Sequence, residues 1–349
     1  MKVLALIDDA NAVCCRYRIE AFEQAMGRED MSLEIVRFDK GILRRIGNLH
    51  KAKQADAVIV QRKLLPLWQT SLLRRWARRL IFDVDDAVFQ RDSNSGKGFE
   101  SRTRSVKFRA IVSKADAVIA GNDYLKQVTA ALTAPGRVHF IPTCIDTQKY
   151  HPAVHQRVGS EARLIFIGQQ TTLRLLDTAK EQLAAIAQQI PGMEFRQICD
   201  GSADFPGLRV VPRPWSMESE AAELADADIG VAWMPDDSWS LGKCGLKVLQ
   251  YMAAGLPVVA NPVGVHREMV IHGETGFIAS TPQQWAEAVA RLAADPQLRN
   301  KLGTAGRYLA EKRYGVKVWA AKFIEVLKRS PVNGTDNERQ VEPYSSPGV

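Results

Sequence analysis

The chain has 349 residues, 46% of them apolar and 25% charged, and no apolar run approaches eighteen residues. That length accommodates two ordinary domains, and that composition excludes a disordered chain and a membrane-spanning one. The net charge of +8 is uneven, with twelve arginines and lysines falling between Arg37 and Arg79, a field that suits an acidic partner such as a nucleotide, an anionic lipid or a nucleic acid.

The first half alternates strand and helix signals. Strands are expected at Val3–Ile7, Leu33–Phe38, Ala57–Val60, 80–84, 115–122 and 138–142. A helix is expected over 16–26. Such alternation implies right-handed crossovers and a parallel sheet, with ligands at the carboxyl ends of the strands. MKVLALIDD is too short in its apolar part, and too soon acidic, for a signal peptide. Five cysteines without a C-x-x-C pair fit a reducing cytoplasm. LIDDAN (6–11) has the look of an acidic phosphate-receiver pocket. The third strand then lacks its terminal aspartate and runs into Gln61 and Arg62, so we set that reading aside. Arg16 and Arg18 follow the first strand end, where arginine suits bidentate phosphate contacts; plain surface arginines on the first helix are the alternative.

Residues 64–80, LLPLWQTSLLRRWARRL, place Trp68, Leu72 and Trp76 at i, i+4 and i+8 beside arginines. One reading is a helix lying on an anionic membrane. The other is an amphipathic helix packed on the sheet with its arginines in water. Residues 90–105 are polar, rich in glycine and serine, and without period, so they read as an exposed loop able to close over an acceptor. Asn122 and Asp123 are N-cap candidates at a strand end.

Residues 152–161 are polar and patternless, and are read as an interdomain linker. Strand signals resume at 163–168, 194–198, 208–211, 229–234, 257–260 and 276–279. Gly168 ends the first of these, and Thr171 or Thr172 is a cap candidate for a helix whose N-terminus would accept an anion. No G-x-G-x-x-G occurs at either first strand, against a nicotinamide dehydrogenase. Residues 281–312 and 313–329 read as helical, and 330–349 as a disordered tail.

The densest signal is SLGKCGLKVLQYMAAGLPVVANPVG (240–264). Asp236, Asp237 and Ser238 precede it as capping residues, and a helix is expected from Lys243 to Ala254. Gly255 then sits at a left-handed C′ position and Pro257 follows, before a buried strand. Lys243, Lys247 and Gln250, at i, i+4 and i+7, would share one face beginning in the first turn. Two lysines there would neutralise a diphosphate, and Gly242 and Gly245 would let backbone approach it. The alternative is a solvated lysine pair on a surface helix.

GKCGLKVLQYMAAGLPVVANPVGVHREMVIHGETGF resembles the donor-nucleotide segment of GT-B glycosyltransferases of the large family that includes sucrose synthases and phosphatidylinositol mannosyltransferases. In that family two glutamates eight positions apart precede the AMA-x-G-x-PVVA run; here Gly242 and Gln250 stand in their places. The resemblance implies an α/β protein of two Rossmann-like domains facing a central cleft: 1–155 on the acceptor side, 156–312 binding the nucleotide sugar, and 313–329 as a terminal helix packing back on the first domain. It implies Lys243 and Lys247 as catalytic residues on the leaving diphosphate. Donor contacts would come from Gly168, Gln169, Thr171, Trp215, Gly242, Cys244, Gly245, Leu246 and Gln250, with Gln250 still able to bond ribose hydroxyls. Arg16, Arg18, Asp85, Asp86 and Asn122 would line the acceptor side. Asp83-x-Asp85 has the spacing by which single-domain GT-A enzymes hold a divalent cation. A cleft-facing role for Asp85 or Asp86 fits the GT-B resemblance better, with Asp86 capping the next helix as the plain alternative. Glu268 is given no catalytic role.

The function implied is sugar transfer from a nucleotide-diphosphate sugar to an unidentified acceptor, with retention of configuration, no metal and no other cofactor. Alternatives are a non-catalytic nucleotide-sugar-binding relative and, more remotely, a basic nucleic-acid-binding protein lacking any recognised motif. The expected location is the cytoplasm, with peripheral contact to the inner membrane face through 64–80 as the membrane reading would have it. Nucleic acid is not expected as a partner.

Overall fold

The computed structural model describes residues 1–8, 13–38 and 41–329. The tail expected at 330–349 lies outside the described residues. The first sheet contains β1 (Lys2–Ile7), β2 (Ser32–Arg37), β3 (Ala57–Gln61), β4 (Leu80–Val84), β5 (Ala117–Ala120) and β6 (Val138–Phe140). The intervening helices are α1 (Val13–Arg18), α2 (Glu23–Gly27), α3 (Ile42–His50), α4 (Leu67–Trp76), α5 (Arg102–Lys114) and α6 (Asp123–Ala130). The strands run parallel in the order β2-β1-β3-β4-β5-β6. Successive side chains on a strand point to opposite faces, so each strand feeds two cores. Leu4, Leu6, Val58, Val60, Phe82 and Val118 pack beneath Leu49, Leu73, Phe108 and Leu125 of α3 to α6. Val3, Ala5, Ile59, Ile81 and Ile119 face the other way, onto Cys15, Phe22 and Met26.

The second sheet contains β7 (Arg163–Ile167), β8 (Glu194–Ile198), β9 (Arg209–Arg213), β10 (Ile229–Ala232), β11 (Val258–Ala260) and β12 (Gly276–Ile278). Its helices are α7 (Gln170–Leu173), α8 (Lys180–Gln189), α9 (Glu220–Ala225), α10 (Leu246–Ala253), α11 (His266–Met269), α12 (Pro282–Ala294), α13 (Pro296–Tyr314) and α14 (Val316–Lys328). The order β12-β11-β10-β7-β8-β9, parallel throughout, reverses direction beside β7, where ligands of such sheets bind. Helix α14 leaves this half and packs on the first: Phe323 stacks on Phe22 with ring centroids 4.2 Å apart.

Several elements differ from the sequence reading. The helix expected at 16–26 is broken into α1, a 3₁₀ turn at Glu20–Phe22 and α2. Ser101, not Asp86, caps α5: its hydroxyl accepts from the Arg104 amide. Residues 90–101 are folded rather than loose, with the Arg91 amide donating to Phe99 O, and Asn94 reaches the second half to donate to Thr171 O at 3.2 Å. Helix α7 is a single four-residue turn with no side-chain cap, so the strong helix terminus expected near Thr171 and Thr172 is not formed.

Helix α4 does not present the Trp68–Leu72–Trp76 stripe to solvent. Trp68 is exposed, but Trp76 lies against the core, edge-on to His50 and beneath Lys53. Arg74 pairs with Asp116, and buried Arg79 donates to Val326 O. The packed reading therefore holds for most of α4, whose exposed side chains are Leu67, Trp68, Ser71 and Arg75. Among the described residues no helix is long and apolar enough to cross a membrane.

Candidate donor site at the domain interface

The site lies where the carboxyl ends of both sheets meet. From the first sheet come Arg62 after β3, Asp85 and Asp86 after β4, and Gly121 and Asn122 after β5. From the second come Gly168 after β7, the loop 240–245 and the start of α10.

Gly245 takes φ +69° as the N-cap of α10, so the helix begins at Leu246 rather than Lys243. A Cβ at 245 would collide with the Met269 sulfur. Lys243 consequently stands on the loop, ahead of the helix face it was expected to share with Lys247 and Gln250. Its ammonium lies 2.9 Å from Asp86 Oδ1, across the interface, and over the Trp239 ring. Asp86 also pairs with Arg62. Burial works against the charge of Asp86, but Lys243 and Arg62 outweigh it and hold the carboxyl below its usual range. Asp85 shows the opposite balance: burial raises it more than Arg62 lowers it. Its Oδ1, 3.6 Å from Arg62 Nε, has no hydrogen-bond partner among the described residues.

Lys247 is placed differently. It lies in the first turn of α10, over the Phe166 ring and beside Gly168, whose added Cβ would come within 2.9 Å of Lys247 Cε. Among the described residues it forms no ion pair. Burial, and then the charge of Lys243, pull it down to about 7. Lys247 is half-buried; a cation partly withdrawn from water without a counter-charge is costly, and an anion at that point would relieve the cost.

The remaining expected residues divide. Asn122 caps α6, accepting from the Leu125 amide at 2.8 Å, while its amide nitrogen donates to Leu241 O and Lys243 O at 2.9 Å each. It therefore fixes the second half's loop to the first half's helix. Cys244 donates to Asp85 O at 3.3 Å. Gly242 is pressed on the first half: a Cβ there would sit 2.7 Å from the Ala87 Cβ and closer still to the Ala87 amide. What an added Cβ at this glycine would meet is the Ala87 backbone and Cβ of the first half. Gln250, 3% exposed, donates to the Tyr17 hydroxyl at 3.3 Å. Leu246 packs at the edge of the core beneath α10. Trp215 donates to Glu220 at 2.8 Å under the Arg16 guanidinium, which also approaches Glu220 at 3.6 Å. Gln169 is the uncapped N-cap of α7, and Thr171 meets Asn94.

Arg18 does not face the cleft. It is 2% exposed, with Nη2 2.5 Å from Asp83 Oδ1 and Nη1 donating to Ile141 O. The same pair consumes Asp83, the first carboxylate of the D-x-D spacing. Among the described residues no three His, Cys, Asp or Glu are grouped to hold a metal ion.

Sequence reasoning missed Arg62, Ala87, Tyr17, Tyr150 and Glu220. Buried Glu220 accepts from Tyr17 at 3.0 Å and Tyr150 at 2.8 Å, and the two hydroxyls are 2.7 Å apart. None of these carries a local motif. Arg62 alone offers a sign in its backbone, at φ +43°, and that is invisible without coordinates.

Residues 147–295 match the model of the family Glycosyl transferases group 1. A D-inositol 3-phosphate glycosyltransferase of Actinosynnema mirum is 28% identical over 236 residues, 58% of this chain and 55% of that protein. An alpha-maltose-1-phosphate synthase of Mycolicibacterium smegmatis is 25% identical over 260 residues, 63% and 65% respectively. The chain thus spans about half the length of the first of these curated relatives. Among solved structures, sucrose-phosphate synthase of Thermosynechococcus elongatus superposes with a TM-score of 0.71 at 16% identity, covering 93% of this chain and 98% of that one. Anabaena HepE in complex with UDP and glucose superposes at 0.68 with 15% identity, covering 94% and 99%. The chain has the GT-B fold, and its residues 147–295 are similar to the glycosyl transferases group 1 family.

Proposed function

We propose that this protein transfers a sugar from a nucleotide-diphosphate sugar to an acceptor, without a metal ion and with retention. The observation that carries the reading is Lys247: a half-buried cation with no counter-charge among the described residues, beside Gly168 at the end of β7. The diphosphate would bridge Lys247 and Lys243, displacing Asp86 from the latter. Negative charge on the leaving diphosphate grows toward the transition state, so both ammonium groups bind that state better than the ground state. Gly168, Gln169, Thr171, Cys244, Gly245 and Leu246 would surround the phosphates, and Trp215 the base. Gln250 reaches ribose hydroxyls only by giving up Tyr17. Asp85, with a carboxylate oxygen lacking a hydrogen bond, is the best placed acceptor-side group, with Arg16, Asp86 and Asn122 at the same interface. Metal independence is supported by the capture of Asp83 by Arg18. The unit boundaries at 155/156 and 312/313 belong to the same reading.

UDP heads the list of donor bases, because HepE is complexed with UDP and UDP-glucose. The test is a thermal-shift panel of UDP, GDP, ADP, CDP and their sugar conjugates, with and without divalent metal. A ligand at a hundred times its Kd adds about 2.7 kcal/mol of stability, enough to resolve. A metal-independent shift with one nucleotide is expected. No shift with any would remove the donor assignment, and a shift only with metal would return attention to Asp83 and Asp85. A second reading, a nucleotide-sugar binder without turnover, is favoured by Gly242 seated on Ala87 and Gln250 tied to Tyr17. Binding without transfer or hydrolysis from any donor would establish it.

A further inference from the structure

Helices α3, α4 and α5 form one continuous layer on the first sheet, α3 packing on α4 and α4 on α5. Each follows a strand at its carboxyl end, so the first turns of all three gather at one rim, beside the cleft mouth. That rim exposes apolar side chains to solvent. Ile42 and Leu43 of α3, Leu67 and Trp68 of α4, and Val106 of α5 are all exposed, Leu43 at 80% and Trp68 at 47%. Between α4 and α5 runs a groove of about 680 Å³, with Leu67, Val106, Ala110 and Leu132 as its apolar walls and Arg109 and Lys114 along it.

The charge of this layer has one sign. The three helices carry nine arginines and lysines and no aspartate or glutamate. Arg74, at the far end of α4, is neutralised by Asp116. Arg44, Arg102 and Arg104, beside the exposed apolar side chains, form no ion pair among the described residues, and neither does Arg109 in the groove.

We propose that this face docks the protein on an anionic lipid bilayer. Exposed first turns can sink Leu43, Leu67 and Trp68 into the headgroup boundary while the arginines around them meet lipid phosphates. A nucleic acid would use the charge and leave the apolar rim in water, which favours lipid over a phosphate backbone. The docked orientation sets the cleft mouth against the headgroups. It differs from a helix lying flat along 64–80, because Trp76 and Arg74 are already used inside the protein. The docking goes beyond the donor-site reading and requires no nucleotide.

The test is co-sedimentation of the full chain with vesicles of phosphatidylcholine plus phosphatidylglycerol, and of phosphatidylcholine alone, at low and high salt. Binding to the anionic vesicles only, weakened by salt, is expected. The double variants Leu43→Ser/Trp68→Ser and Arg102→Glu/Arg104→Glu should each lower partitioning by about tenfold or more, with unchanged melting temperature because all four side chains are exposed. No sedimentation with anionic vesicles at low salt would overturn the proposal. So would equal binding to phosphatidylcholine, or wild-type binding by both variants. Binding of a short RNA or DNA duplex without vesicle binding, or a dimer abolished by Leu43→Ser/Trp68→Ser without vesicle binding, would also overturn it. The nucleotide shift of these variants reports separately on the donor site.

Discussion

Lys247 decides most at the scale of single residues. Burial first and Lys243 second depress it from 10.5 to about 7. Between those values the unfolded chain holds a proton that the folded chain gives up. The cost of the buried charge is therefore fully present below about 7, and stability rises as pH climbs toward 10.5. A bound diphosphate reverses the sense by holding the proton on the lysine. Affinity for UDP should thus fall above a pH of about 7, by up to about tenfold per unit. Binding above that pH should also take up a proton, read by calorimetry in two buffers of different ionisation enthalpy. Heats that do not depend on the buffer would show that Lys247 does not meet the phosphates. Lys247→Ala should lower turnover by about 10²–10³-fold, the effect typical of removing one transition-state donor. Asp86→Asn should act the other way on binding, since it removes the carboxylate that competes for Lys243. A Kd for UDP several-fold tighter than wild type is expected in titration calorimetry; a weaker one would mean that Asp86 positions the lysine rather than occupying it.

The turns that join strands to helices show how much of the site can be read from sequence and how much depends on partners far away in the chain. Most strands were legible because β1, β3, β4, β5, β7, β10 and β11 are buried, mainly apolar runs of strand length bounded by polar turns. The end of α10 was legible as well: Gly255 takes φ +67° two residues before Pro257, a local signal with a local cause. Its beginning was not. The left-handed turn at Gly245 accommodates Met269, and the direction of Lys243 is set by Asp86 in the other half of the molecule. The interruption of the helix expected at 16–26 is similar. RYRIEAFEQAM contains no breaker, but Arg18, its last residue before the break, is held by Asp83 and Ile141 O. This ion pair is buried on both sides, so Asp83→Asn should cost about 3–5 kcal/mol by leaving Arg18 uncompensated, measured by urea unfolding. Loss of a metal-dependent activity with stability unchanged would instead restore Asp83 to the metal reading.

For the molecule as a whole, one of the tightest contacts between the two halves is made by a residue with no side chain. Gly242 stands where the family resemblance places a glutamate, and Ala87 fills the space a side chain would need. Neither backbone can easily yield. Asn122 holds the carbonyls on both sides of Gly242, while Ala87 follows directly on Asp85 and Asp86, pinned through Cys244, Arg62 and Lys243. A side chain at 242 therefore wedges the halves apart rather than distorting either. Packing one in without such movement would cost about 1–3 kcal/mol. Gly242→Glu should leave the helix content unchanged and increase the radius of gyration in solution scattering. It should also free Lys243 from Asp86, so the second half should bind UDP at least as tightly as in the wild type, while transfer, which needs both halves in register, is lost. If the scattering profile stays that of the wild type and transfer persists, the loop 240–245 gives way instead of the interface, and the glycine is then a matter of local packing with no hold over how the two halves close.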